Sequence, residues 1–71
     1  MNMEILEEII EGQKERMLNY ARKIYPYMTP DDLLQPNDFL LLESNPYFRY
    51  EEGVLAGLLQ AKAALLASKS L

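Results

Sequence analysis

The sequence has no cysteine, no histidine and no tryptophan among its 71 residues. Without cysteine no disulfide can form, and without cysteine or histidine the common structural zinc sites cannot be built. The same absences remove the commonest general base and the strongest thiol nucleophile, so we expect no catalysis, no cofactor and no bound metal. A core of this size rarely leaves more than about 3–5 kcal/mol of net stability. We therefore expect the chain to complete its fold by forming a homodimer.

Positive charge is also scarce, with 7 Lys and Arg against 11 Asp and Glu and a net charge of −4. Nucleic-acid binding is disfavoured because its affinity comes largely from Lys and Arg releasing counterions. Residues 26–52 carry six acidic side chains against Arg49 alone. An acidic segment repels anionic lipid as well. A protein with an apolar or basic surface is therefore the expected partner, with no nucleic acid and no membrane.

Long apolar runs are missing too. The longest uncharged apolar stretch, residues 53–59, is far shorter than the roughly 20 residues that a bilayer span requires. The N-terminus opens with acidic residues and lacks the basic and apolar regions of a signal peptide. With 49% hydrophobic and 25% charged residues, the composition is typical of one soluble globular domain. We expect a single helical domain over residues 1–71, in the cytoplasm by default.

Apolar residues recur at three- and four-residue spacing over residues 3–25, which predicts an amphipathic helix. Acidic residues dominate its first half and basic residues its second half, as the helix dipole favours. The expected buried stripe consists of Leu6, Ile9, Ile10, Gln13, Met17, Tyr20, Ala21 and Ile24.

Prolines then break the helical pattern. Thr29, Pro30 and the acids Asp31 and Asp32 form the signature of a helix start, with a capping Thr, Pro in the first turn and an acid at the capping-box position. The sequence therefore predicts one short helical turn here and explains both acids without a metal or catalytic role.

Two further capping signals follow. Asn37 and Asp38 are expected to cap a short helix over residues 39–43. Asn45 and Pro46 open the last helix, which we place from about residue 46 or 49 to residue 69.

This last helix is apolar nearly all round, since only Gln60 and Lys62 are polar between residues 53 and 67. Such a helix is typically central in its fold or inside an assembly. On a helical wheel its bulky side chains share one wide face, in whose middle Lys62 falls, and its smallest residues lie opposite. We predict that the bulky face packs on the first helix and that the small side forms an oligomer interface made by Gly53, Gly57, Ala64 and Ala67.

Three aromatic residues and an arginine are adjacent at residues 47–50. Tyr and Arg are enriched at binding hot spots, so Tyr47, Phe48, Arg49 and Tyr50 are candidate docking residues for a partner protein. The alternative is that the aromatic residues between positions 20 and 50 form a satellite core. Arg49 is expected to pair with Glu43, Glu52 or a nearby Asp.

Together these patterns predict an all-α fold: two long antiparallel helices, joined by a proline-punctuated connection with one or two short helices, in a small bundle completed by dimerisation. The expected function is a protein-interaction module, an adaptor or regulatory subunit, rather than an enzyme. A helical dimer that binds a small apolar ligand is the alternative, and a helix-turn-helix nucleic-acid binder is less favoured.

Overall fold

A computed structural model describes residues 3–35 and 38–69. Its elements are α1 (Met3–Ala21), a 3₁₀ helix (Pro30–Leu34), the short α2 (Leu40–Glu43) and α3 (Pro46–Lys69). No strand occurs in these described ranges, and the two long helices contact each other. The predicted all-α fold with two long helices is confirmed.

Helix α1 ends at Ala21, four residues before the predicted end. The backbone then tightens into turns, in which Lys23 N–H donates to the Tyr20 carbonyl and Ile24 N–H to that of Ala21. Pro26 lies beyond these turns and disfavours helical dihedrals at Tyr25, the residue before it. The helical boundary at residue 25 is therefore corrected to residue 21.

The start of the 3₁₀ helix is the predicted capping box. The Thr29 N–H donates to the Asp32 carboxylate at 2.8 Å, and the Asp32 N–H donates to the Thr29 hydroxyl at 3.4 Å. Pro30 occupies the first turn, where its missing N–H costs nothing. This capping role accounts for the presence of Asp32 without a metal or catalytic role.

Helix α2 begins one residue later than predicted, and its N-cap is Phe39, which makes no side-chain capping hydrogen bond. Asn37, one of the two predicted capping residues, lies outside the described residues, and Asp38 does not serve as the cap. Instead the Tyr25 hydroxyl accepts a hydrogen bond from the Leu41 N–H at 3.2 Å. A side chain from the preceding connection thereby satisfies one of the free N–H groups of this helix start.

Helix α3 begins at Pro46, the earlier of the two predicted starts, with Asn45 as the predicted cap. The Asn45 Oδ1 accepts from the Phe48 N–H at 3.0 Å, and its Nδ2 donates to the Tyr20 hydroxyl at 2.8 Å. One side chain therefore both starts α3 and ties it to the end of α1.

The core lies along one narrow stripe of α1 and at the end of the molecule where the connection folds back. On α1 the buried residues are Leu6, Ile10, Gln13, Met17 and Ala21. Met28, Leu42 and Phe48 complete the core at the connection, packed against Met17 and Ala21. In α3, Phe48 is the one buried residue among those whose side chains are described. None of the described helices is long and apolar enough to cross a membrane.

Candidate functional site

The four predicted docking residues at the start of α3 do not share one environment. Tyr47 and Tyr50 are 54% and 67% exposed, whereas Phe48 is fully buried in the core. The assignment of Phe48 to the docking surface is wrong, because its buried side chain cannot reach a partner while the chain is folded. Tyr47, Arg49 and Tyr50 remain accessible, and their role in docking stays a prediction.

Some of the aromatic side chains form the satellite core that was the alternative interpretation. The Tyr20 and Tyr47 rings lie 4.6 Å apart at a tilt of 51°, which joins the end of α1 to the start of α3. Tyr25 and Phe39 meet edge to face with centroids 5.0 Å apart. Tyr27, in contrast, is almost completely exposed. The aromatic residues therefore divide between packing and surface.

Arg49 pairs with Glu52, one of its predicted partners, at an Nε to Oε1 distance of 3.5 Å. The arginine side chain is more than half exposed. Pairs of this kind near the surface add little to stability.

Gln13 is the buried polar residue that joins the two long helices. Its Nε2 donates to the backbone carbonyl of Glu51 at 3.0 Å and also contacts the Glu51 carboxylate. Its Oε1 accepts from Arg16 Nη2 at 2.7 Å. Both ends of the amide are thus satisfied, and the pairing fixes which part of α1 faces which part of α3.

The four small residues of the predicted oligomer interface, Gly53, Gly57, Ala64 and Ala67, are exposed. A Cβ added at Gly53 or Gly57 would meet no atom within 4 Å. Each glycine costs about 1 kcal/mol relative to alanine inside a helix. Packing within the described chain gives no reason for either glycine, and contact with a second subunit at this stripe remains a prediction.

Lys62 lies partly exposed on the bulky side of α3. Within residues 3–35 and 38–69 it takes part in no salt bridge. Long cationic side chains on apolar helices usually lay their stems on apolar surface and keep the ammonium group in water.

A groove that the sequence did not reveal lies between α1, the 3₁₀ helix and α3. It encloses about 420 Å³, with Leu18, Leu33 and Leu55 among its apolar lining. Glu11, Lys14, Glu15 and Asp31 add charged groups to it. The sequence feature that could have indicated this groove is Leu18, an apolar residue outside the predicted stripe of α1.

The described residues hold no cluster of three or more acidic, Cys or His side chains that would suit a metal ion. No protein-family model matches the chain, and no curated protein or solved structure shows significant similarity to it. The candidate function therefore depends on the surfaces described above.

Proposed function

We propose that this chain is a small protein-interaction module that works as a homodimer and has no catalytic activity of its own. The observation that carries the proposal is the mismatch between composition and burial in α3. The helix is apolar nearly all round, yet Phe48 alone is buried among its described side chains. Surface of this kind is typical of a helix that packs against more neighbours than one chain supplies.

The size of the uncovered surface supports the same proposal. The accessible area is 5169 Å², whereas a folded monomer of 8.2 kDa is expected to expose about 4,500 Å². The excess of roughly 650 Å² is close to the ~800 Å² that each partner contributes to a standard interface. The radius of gyration of 13.6 Å likewise exceeds the ~11 Å expected for a compact domain of this length.

We also infer that α1 and α3 run antiparallel, as a helical hairpin requires. Tyr20, near the end of α1, contacts Tyr47 at the start of α3. Gln13, seven residues earlier on α1, contacts Glu51 further along α3. Moving back along α1 therefore corresponds to moving forward along α3. Two such hairpins form a four-helix bundle when they pack face to face.

Tyr47, Arg49 and Tyr50, which are exposed in the single chain, are the proposed docking residues for another protein. Two rigid amphipathic rings beside a guanidinium are the residue types that dominate binding hot spots. The surrounding segment is acidic, which favours a partner with a basic or apolar surface.

Sedimentation equilibrium of the pure chain over about 1 µM to 1 mM tests the homodimer. We expect a mass of about 16 kDa, twice that of the 8.2 kDa chain, at the upper concentrations. A folded chain that stays at the mass of one copy throughout would refute it.

The groove beside Leu18 and Leu55 favours a second candidate function, binding of a small apolar ligand. Its volume of about 420 Å³ lies within the range of ligand pockets. Thermal melting with and without a medium-chain fatty acid tests this candidate. A rise in melting temperature that Leu18→Asp abolishes would support it, and no rise would exclude this ligand class.

A further inference from the structure

The two-helix layer has two lateral faces, and contacts within the chain show which residues share each face. The ring contact between Tyr20 and Tyr47 puts one edge of α1 beside one edge of α3. At about 100° per residue, Ile9 and Tyr20 lie within ~20° of each other on α1, as do Tyr47 and Leu58 on α3. We name this side the isoleucine face. It consists of Ile5, Ile9, Gly12 and Arg16 on α1 and Val54, Leu58, Ala61 and Leu65 on α3.

The other lateral side is marked by the groove that Leu18 and Leu55 share. We name it the charged face. By the same helical arithmetic it consists of Glu7, Glu11, Lys14 and Leu18 on α1 and Leu55, Leu59, Lys62 and Leu66 on α3.

The two faces have the same spacing and opposite chemistry. In both, each helix contributes residues at intervals of four, three and four, the spacing of a coiled-coil seam. The charged face has four charged side chains among its eight positions, whereas the isoleucine face has Arg16 alone. Arg16 lies at one end of its face and donates to the Gln13 amide. Since charged residues are depleted at interface centres, the isoleucine face is the better suited to burial.

Packing within one chain leaves apolar side chains of the isoleucine face exposed. Ile5 is 53% exposed and Ile9 is 40% exposed, one helical turn apart on α1. Val54, Leu58 and Leu65 on α3 are partly exposed as well. Isoleucine is a poorer helix former than alanine, so two of them on an exposed edge give a lone helix no advantage.

We infer that the isoleucine face is the dimer seam, and that a second copy of this chain covers it to form a four-helix bundle. This inference rests on the proposed homodimer and specifies its interface. The face carries no charge pattern that would select a different partner, and an apolar surface of this kind is complementary to itself, as a two-fold interface requires. Its bulky side chains remove more apolar area from water than the small-residue stripe at Gly53 and Gly57 does.

A matched pair of double variants tests the inference by sedimentation equilibrium. Ile5→Ser with Ile9→Ser removes the seam, and Leu59→Ser with Leu66→Ser removes residues of similar exposure (42% and 49%) from the charged face. Serine has a helix propensity close to that of isoleucine, so the seam variant is expected to keep its helical circular dichroism. We expect the seam variant to raise the dimer dissociation constant about 100-fold or more, and the control to change it less than about 5-fold.

The outcomes separate the inference from the proposed function. Wild-type chain that never dimerises overturns the homodimer itself. A wild-type dimer that persists in the seam variant overturns the isoleucine face alone, and a third variant, Gly53→Leu with Gly57→Leu, then shows whether the small-residue stripe is the interface.

A measurement on the wild-type dimer keeps the inference testable if the seam variant does not fold. Dimers assembled from labelled and unlabelled chains report intermolecular contacts by isotope-filtered NMR. We expect intermolecular contacts to the methyl groups of Ile5 and Ile9. Contacts to Leu59 and Leu66 in their place would overturn the inference.

Discussion

Replacing Gly53 and Gly57 by alanine should stabilise the monomeric chain. Both glycines lie inside α3, where glycine costs about 1 kcal/mol relative to alanine. The added methyl groups meet no atom within 4 Å, so no steric cost offsets this gain. The double variant should therefore unfold with a free energy about 2 kcal/mol higher. For a domain of this size that corresponds to a rise in melting temperature of roughly 8–16 °C.

Urea denaturation followed by circular dichroism, at a concentration below the dimer dissociation constant, measures this change. The reverse substitution Ala56→Gly, at another exposed position of α3, is the matched control and should lower the free energy of unfolding by about 1 kcal/mol. A double variant that is no more stable than wild type would refute the reasoning, because some part of the chain must then contact the glycines.

The same double variant distinguishes the two candidate dimer interfaces. If the isoleucine face is the seam, two methyl groups on the far side of α3 leave the dimer dissociation constant unchanged. If the small-residue stripe is the interface, the methyl groups keep two closely packed helices apart and the dissociation constant rises. A more stable monomer that dimerises less would therefore favour the stripe.

Three further changes address the residues that hold the fold together. Gln13→Glu puts a second carboxylate against that of Glu51, so the free energy of unfolding should fall by about 3 kcal/mol at neutral pH and recover as acidification protonates the pair, which urea midpoints across pH would show. Asn45→Ala removes the α3 cap and should cost about 1–2 kcal/mol, and stability equal to wild type would contradict this capping role. Phe48→Ala should cost about 3–5 kcal/mol because the ring is fully buried, whereas Tyr50→Ala should change stability by less than about 0.5 kcal/mol. Equal losses in thermal melts would mean that Tyr50 packs as Phe48 does.

The elements that the sequence predicts well are those whose contacts are local. The capping box of Thr29 and Asp32 and the cap of α3 by Asn45 each join groups three residues apart. Residue identity and spacing specify such interactions almost completely. Neighbours elsewhere in the fold are not needed to predict them.

The start of α2 shows where local reasoning fails. Its free Leu41 N–H is satisfied by the Tyr25 hydroxyl, which lies 16 residues earlier in the chain. Asp38, which has the right chemistry for a cap, lies one residue before the N-cap Phe39 and is not used. A tyrosine hydroxyl can accept from any helix start that the fold brings near it, so no sequence pattern identifies this pair.

The assignment of Phe48 to the docking surface is wrong for a related reason. Tyr47, Phe48 and Tyr50 are adjacent in sequence, but successive helical residues point about 100° apart. Which of them is buried depends on where α1 and the connection lie around α3, and burial falls on Phe48. Composition predicts an aromatic cluster and cannot divide it between core and surface.

The width of the apolar stripe on each helix indicates how many neighbours the helix has, because more neighbours cover a wider stripe. The stripe predicted on α1 includes Ile9, yet one neighbouring helix covers only the narrower stripe from Leu6 to Ala21. On α3 the apolar residues extend around most of the circumference, and the same single neighbour covers even less of them. Each helix therefore carries more apolar surface than its contact with the other helix buries. Part of this excess on each helix lies on the isoleucine face, where we propose that a second copy removes it from water.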